Sequence, residues 1–334
     1  MRTAFFTSAS FAYLDRARVL FQTLRVAHPD WEIWMCMVDE EPAGFVFDAE
    51  AEGIHHLVWA RDLGIPNFLS WAFQHDVVEL CTAVKGAMLC RMLDEGIGKV
   101  IYLDPDIAVF SPLTEAVDLL GRHSIVLTPH QIDPDTDRAA IMDNEIGSLK
   151  YGIFNLGFVA VANTSEGLRF AEWWRDRLLD FCFDDVPGGL FTDQKWCNHV
   201  PVFFPSTAIL RHKGYNVASW NLSQRKLTIS PEGDILSGGD VLRFYHFTKV
   251  THVGMIMIER YSEGETAIFE LVKWYKDTLR RHAVQGLPPR WWKYGNYDSG
   301  QPISREDRLN HRTAIGAKHA ALNPFASEKP LSTA

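Results

Sequence analysis

Strand-like and helix-like segments alternate through the first half of this chain, and one buried-type strand ends in Asp104-Pro105-Asp106. Together these predict an α/β protein: a mainly parallel sheet flanked by helices, with its ligands at the carboxyl ends of the strands. A length of 334 residues with 47% hydrophobic content supports this, because such a chain buries a large core without disulfide or metal staples.

Residues 3–7 (TAFFT) read as a short buried strand. Residues 11–27 then carry Leu14, Val19, Leu20, Leu24 and Ala27 at helical spacing. His28-Pro29-Asp30 ends that helix, since proline cannot continue it. A second strand, 32–38 (EIWMCMV), runs into Asp39-Glu40-Glu41, and a weaker third spans 54–59. Residues 68–95 supply one or two helices, and 99–103 (KVIYL) form a strand bounded by Gly98 and by Asp104-Pro105-Asp106. Strands are expected again at 124–127 and 154–161, with an amphipathic helix at 165–180. After about residue 200 the pattern loosens into short strands around Tyr215, Leu242 and Met255. No internal repeat, low-complexity tract or clear linker divides the chain. The expected organisation is one domain over residues 1–265 and a helical or irregular extension over 266–334.

The net charge of −9 excludes a dedicated nucleic-acid binder, which needs clustered Lys and Arg. The charge is uneven: from Glu270 to Ala334 there are 11 Lys and Arg against 6 Asp and Glu, a net of +5, leaving −14 on residues 1–269. The opening MRTAFFTSASFAYLDR is too polar for a signal peptide, and no apolar run approaches the roughly 18 to 20 residues of a membrane span. Five cysteines with no CxxC pair read as buried, reduced residues of a cytosolic protein. The tail mixes Trp274, Tyr275, Arg280, Arg281, Arg290, Trp291, Trp292 and Lys293, a set suited to anionic headgroups and the bilayer interface. A solvated helix with a loose terminus is the alternative. The expected location is cytoplasmic, with peripheral attachment to the inner face of the cytoplasmic membrane.

Chemistry concentrates in KVIYLDPDIAVFSP. Residues two apart on an extended chain share a face, so Asp104 and Asp106 are expected to aim both carboxylates into one space. Pro105 locks its own φ and pushes Asp104 toward an extended conformation. Paired carboxylates at a strand end make a hard-oxygen site for Mg²⁺ or Mn²⁺ of the kind shared with phosphate oxygens. Taken alone, Asp-Pro-Asp is also the composition of a solvated turn.

Around this motif the chain resembles the retaining sugar-nucleotide transferases of the GT-A fold, in particular glycosyltransferase family eight, which includes bacterial lipo-oligosaccharide galactosyltransferases. YLDPD is similar to that family's YLDxD element. CTAVK, FNLG, TDQ followed by Asn198, and FYHF resemble further family segments in the same order, over about residues 3 to 250. The chain resembles uncharacterised bacterial polysaccharide-cluster transferases more than characterised family-eight enzymes, through segments similar to CTAVK, YLDPDI, TPH, FNLGF, YNVASWNL and FYHF.

The resemblance implies a GT-A fold and a metal held by Asp104, Asp106 and His246, with Asp104 also facing the donor. It places Thr7, Ser8, Ser10 and Tyr13 of the first strand and its Tyr-bearing turn beside the nucleoside; Ser10 stands where the family often has a uracil-contacting Asp. Asp39 joins them by its position at the end of the second strand. Lys85 falls where the family has a donor-contacting basic residue; a solvated helix lysine is the other reading. Asn155 becomes a sugar contact, and Gly157 either a point of close backbone approach or an aid to strand packing. Asp193 would bind sugar hydroxyls, and Gln194 would lie opposite the leaving group; a helix cap by Thr192 or Asp193 is compatible with both roles. The family's Lys-Pro-Trp is absent after His246, so Lys249 and His252 stand as replacement cations. His130 is a sugar or acceptor contact. Tyr215-Asn216 and Trp220-Asn221 line the acceptor cleft or simply pack the core.

The expected activity is metal-dependent retaining transfer of a hexose from a nucleotide-sugar donor, UDP-linked, to a bacterial surface glycan or lipid-linked precursor. A neutral amide is a poor nucleophile, which favours front-face substitution over a covalent intermediate. One alternative is a sugar-phosphate nucleotidyltransferase, whose Gly-rich loop after the first strand has no counterpart in TSASF. Another is a noncatalytic glycan-binding protein. Inverting transfer needs a carboxylate base that the sequence does not identify.

Overall fold

Alternate residues of the first strand supply the two halves of the core. Phe5 faces one hydrophobic cluster with Ile33, Met35, Ile101 and Leu103, whereas Ala4 and Phe6 face another with Trp34, Val100 and Tyr102. That division is the two-residue period of a sheet covered on both faces. The computed structural model describes residues 2–250, 253–314 and 323–326.

The strands are β1 (Thr3–Ala9), β2 (Glu32–Met37), β3 (His56–Trp59), β4 (Lys99–Leu103), β5 (Ile107–Val109), β6 (Ile125–Pro129), β7 (Phe154–Ala162) and β8 (Thr207–Ile209), followed by β9 (Leu227–Ile229), β10 (Ile235–Ser237), β11 (Asp240–Val241) and β12 (Phe244–His246). Seven of them form one sheet in the order β3-β2-β1-β4-β7-β6-β8. Only β7 is antiparallel to its neighbours, β4 and β6. The α/β class and mainly parallel sheet expected from the sequence are therefore present. β9, β10 and β11 make a small second sheet, and β5 pairs with β12.

One face of the large sheet is covered by α1 (Leu14–Ala27), through Leu14, Leu20 and Leu24. The other carries α2 (Phe68–Phe73), α3 (Val77–Ala83), α4 (Lys85–Asp94) and the helix Ser165–Phe181. Asp76 starts α3 with a capping box, accepting from Val78 N and Glu79 N while the Glu79 carboxylate accepts from Asp76 N.

Three expectations change. Residues 68–95 form three helices rather than one or two. Tyr215 lies in a bend beside an isolated bridge between Val217 and Tyr245, whereas short strands do flank Leu242, β11 before it and β12 after it. Met255 is helical, within Val253–Tyr261. The run VGMIMIERY is so densely apolar that its period is hidden in the sequence; the side it buries, Gly254, Ile258 and Tyr261, has helical spacing.

The C-terminal residues engage the body. Helix Ala267–Arg281 buries Ile268, Leu271, Val272, Tyr275 and Thr278, and Tyr275 stacks on Phe247 at 3.8 Å. Trp274 meets Phe110, and Trp291 Nε1 donates to Glu40 O at 2.7 Å. Trp292 lies half-buried under the Arg308 guanidinium. Arg308 donates to the carbonyls of Phe73, His75 and Tyr294. The aromatic residues expected to face lipid are thus largely used in packing, while Lys273, Arg280, Arg281 and Arg290 stay exposed. Among the described residues no helix is long and apolar enough to cross a membrane. All five cysteines are unpaired and four are buried; Cys81 is partly exposed.

Gly86 in α4 sets the approach of helix Ser165–Phe181. A Cβ there would meet Arg175 Cα and N at 2.5 Å, both backbone atoms that cannot swing aside. Gly86→Ala is expected to destabilise the protein by about 1–3 kcal/mol, read by urea unfolding.

Candidate active site

β4 stops at Leu103, and the chain turns through Asp104, Pro105 and Asp106 before resuming as β5. Ile107 N donates to Asp104 O at 3.1 Å, closing a four-residue turn with Pro105 at its second position. The carboxylates of Asp104 and Asp106 do converge, but through this turn and not through strand alternation, because proline favours that turn position and ends the ladder.

The antiparallel pairing of β12 with β5 sets His246 opposite Ile107, and Phe247 N donates to Asp106 O at 2.9 Å. His246 Nε2 consequently lies 3.0 Å from Asp106 Oδ1 and 3.6 Å from Asp104 Oδ2. Burial disfavours charge on both His246 and Asp106, yet their mutual attraction prevails, raising the imidazole pKa and lowering that of the carboxyl. One ligand atom from each of Asp104, Asp106 and His246 lies within 4.8 Å of the others, and two carboxylates plus one imidazole suit Mn²⁺ or Mg²⁺. Gly157 leaves room for the ring: a Cβ there would meet His246 Cε1 at 2.5 Å and Nδ1 at 2.6 Å.

Lys85, at the start of α4, is 1% exposed. Its Nζ donates to Asp193 Oδ2 (2.8 Å), Leu156 O (3.0 Å) and Asp104 Oδ1 (3.2 Å), and lies 4.1 Å from the centre of the Tyr102 ring. Burial opposes the ammonium charge, but Asp104 and Asp193 outweigh it and push the pKa well above that of an ordinary lysine. A solvated lysine is thereby ruled out. Tyr102 was not anticipated; its hydroxyl donates to Asp104 Oδ1 at 2.5 Å. Its place two residues before Asp104 in a strand was the available signal.

Gln194 is buried with both ends of its amide assigned. Nε2 donates to Tyr151 O (3.1 Å), and Oε1 accepts from Leu156 N and Asn155 Nδ2, each at 3.3 Å. Both amide-oxygen lone pairs are therefore engaged, which disfavours covalent attack by this side chain. Asn155 Nδ2 also donates to His130 Nε2 at 3.2 Å. The Trp220 ring lies edge-on to His130 and to His246, 5.5 and 5.3 Å between centres. Asn221 Nδ2 is spent on Asn216 O and His130 O.

The remaining donor-side candidates gather where β1 and β2 end. Ser8 Oγ donates to Cys81 O at 2.6 Å, whereas the buried hydroxyls of Thr7 and Ser10 have no hydrogen-bond partner among the described residues. Tyr13 is 38% exposed with the Arg16 guanidinium over its ring. Asp39, 2% exposed, accepts from Phe11 N, Glu40 N and Lys293 N, joining three segments. Burial still pushes its carboxyl up to about 7. Lys249 is exposed on a left-handed backbone, φ 50°, and His252 lies outside the described residues.

No protein-family model matches the chain. It is 25% identical over 297 residues to the uncharacterized protein YfnF of Bacillus subtilis, covering 86% of this chain and 94% of that one. It is 23% identical over 253 residues to the uncharacterized protein YfnD of the same organism, covering 75% and 78%. Among solved structures it is similar to the galactosyltransferase LgtC in complex with donor and acceptor sugar analogs, at TM-score 0.46 and 17% identity over 86% of this chain and 98% of that one. Mouse xyloside xylosyltransferase 1 is similar at TM-score 0.45 and 15% identity, over 76% and 100%.

Two outcomes are expected. A raised carboxyl pKa favours the protonated folded state, so the stability that Asp39 contributes is full below its unfolded pKa of about 4 and lost as pH rises through about 7. The Tm of wild type should therefore fall relative to Asp39→Asn across that window; a constant difference would refute the shift. Gly157→Ala should displace His246 and weaken Mn²⁺ binding about tenfold or more by calorimetry, with little change in the far-UV spectrum.

Proposed function

We propose that the protein is a metal-dependent, retaining GT-A glycosyltransferase that moves a hexose from a UDP-linked donor to a surface glycan or a lipid-linked precursor. The observation that carries the reading is the convergence of Asp104, Asp106 and His246 with the Lys85–Asp193 pair at the carboxyl end of the sheet. Open α/β sheets bind ligands at that end.

A divalent ion held by Asp104, Asp106 and His246 would supply Lewis-acid stabilisation to the departing diphosphate. Lys85 holds Asp104 toward that position and Asp193 toward the sugar. Gln194 presents a fixed amide beside Asn155, and its engaged oxygen favours front-face substitution. In that step the acceptor oxygen bonds to the anomeric carbon, the bond to the diphosphate oxygen breaks, and the leaving phosphate takes the hydroxyl proton. Trp220 and His130 flank the acceptor side. Attachment to an anionic membrane face would use Lys273, Arg280, Arg281 and Arg290 without inserted aromatic rings.

The test is a screen of nucleotide sugars for Mn²⁺-dependent thermal stabilisation, followed by assays of transfer and donor hydrolysis. Asp106→Ala should lower kcat/KM by about a thousandfold or more, and NMR of the product anomer should show retention. Full activity in that variant, or an inverted product, would overturn the reading.

A further inference from the structure

Asn216 is 1% exposed, sits on a left-handed backbone with φ 51°, and lies behind the site on the stretch between β8 and β12. Its turn is pinned from below: Asn221 Nδ2 and the buried Arg225 Nη1 both donate to the Asn216 carbonyl, and Arg225 also donates to Tyr215 O. Its amide nitrogen lies 2.9 Å from Thr128 Oγ1, 3.0 Å from Asn155 Oδ1 and 3.3 Å from Asn155 O. A main-chain carbonyl can only accept, so the NH₂ end must face Asn155, although this leaves the buried Asn216 Oδ1 without a partner among the described residues.

The direction then passes onward. Asn155 Oδ1 is held by Asn216 Nδ2 and by Gly157 N (3.0 Å), and an N–H can only donate. The Asn155 NH₂ therefore points the other way, toward Gln194 Oε1 and His130 Nε2. His130 Nε2 must accept, so the ring proton sits on Nδ1 and is donated to Ile153 O at 3.2 Å. Thus the Asn155 amide agrees in direction with the Gln194 amide, itself anchored by Tyr151 O and Leu156 N, and it acts with Ile153 O to set the His130 tautomer.

We propose that Asn216 is a positioning residue that acts through Asn155 to hold His130 in its neutral, Nδ1-protonated tautomer beside the anchored amide of Gln194 for the transfer step. The catalytic consequence rests on the glycosyltransferase reading above; the hydrogen-bond direction does not.

The test pairs kinetics with ¹⁵N NMR of histidine-labelled full-length protein, the His130 signal being assigned by its loss in His130→Gln. In wild type Nε2 should be the unprotonated nitrogen. Asn216→Gly keeps a residue at ease at positive φ and removes only the amide. It should populate both His130 tautomers and lower kcat about tenfold while donor KM changes by less than about threefold. Should that variant fail to fold, Asn216→Asp replaces the donor by an acceptor. Asn155 should then rotate and the His130 proton move to Nε2. A wild-type His130 protonated on Nε2, or tautomer and kcat unchanged in the Gly variant, would overturn the proposal, as would a changed tautomer with unchanged kcat. If wild type neither transfers nor hydrolyses any nucleotide sugar, the functional reading falls while the tautomer still decides the positioning chain.

Discussion

One buried ammonium holds the site together. Lys85 Nζ joins the strand-end Asp104, the Asp193 that follows helix Ser165–Phe181, and the main chain of β7 at Leu156. These segments are far apart in sequence, and among the described residues no other cation pairs with both carboxylates. Leaving a buried ion uncompensated costs about 3–5 kcal/mol, so each carboxylate is held as firmly as the lysine requires. Gly86 lets α4 lie against helix Ser165–Phe181, and that approach carries Lys85 to depth. Helix packing and site geometry are therefore one constraint.

A second constraint works from the opposite side. The β5–β12 ladder is only three residues long on each strand, yet together with the His246 N to Val217 O bond it carries His246 to Asp106, and Gly157 leaves space for the ring. Tyr275 stacked on Phe247 backs this short ladder. Helix Ala267–Arg281 thus supports His246 through packing, whatever else its exposed cations do.

Local periodicity made much of this legible. The strand 99–103 is where the pattern placed it, since KVIYL is apolar and bounded by Gly98 and Pro105. Turn chemistry was visible in Asp-Pro-Asp, but the side from which its carboxylates meet depends on a turn hydrogen bond that no alternation rule encodes. Lys85 was found through resemblance; by pattern alone a lone helix lysine looks solvated, and its burial is decided by Asp104 and Asp193, 19 and 108 residues away. Arg225 escaped for the same reason, and Asn216, read as an acceptor-cleft or core residue, gave no sign of its contacts, as the partners of both are carbonyls and amides with no sequence signature. For the aromatic rings of the tail, composition could not decide, because it is the same for a lipid-facing and a core-facing segment. Long-range contacts such as Trp291 with Glu40 settle where those rings go.

On the proposed function, the charges of the site also bear on how an acidic body would receive a diphosphate. Lys85 cannot serve the ligand alone, because Asp104 and Asp193 already claim it. With Asp106 included, three carboxylates face one ammonium, a net of −2 before His246 is considered. At about 4 Å and an effective dielectric near 20, each added like charge is repelled by about 4 kcal/mol. A dianion would be rejected unless a divalent cation reverses the sign, and Asp104 and Asp106, which converge with His246, are the carboxylates placed to hold one. On the proposed function, acidity there would act as a gate, admitting the donor only together with the metal, while Lys273, Arg280 and Arg281 on helix Ala267–Arg281 lie exposed away from it.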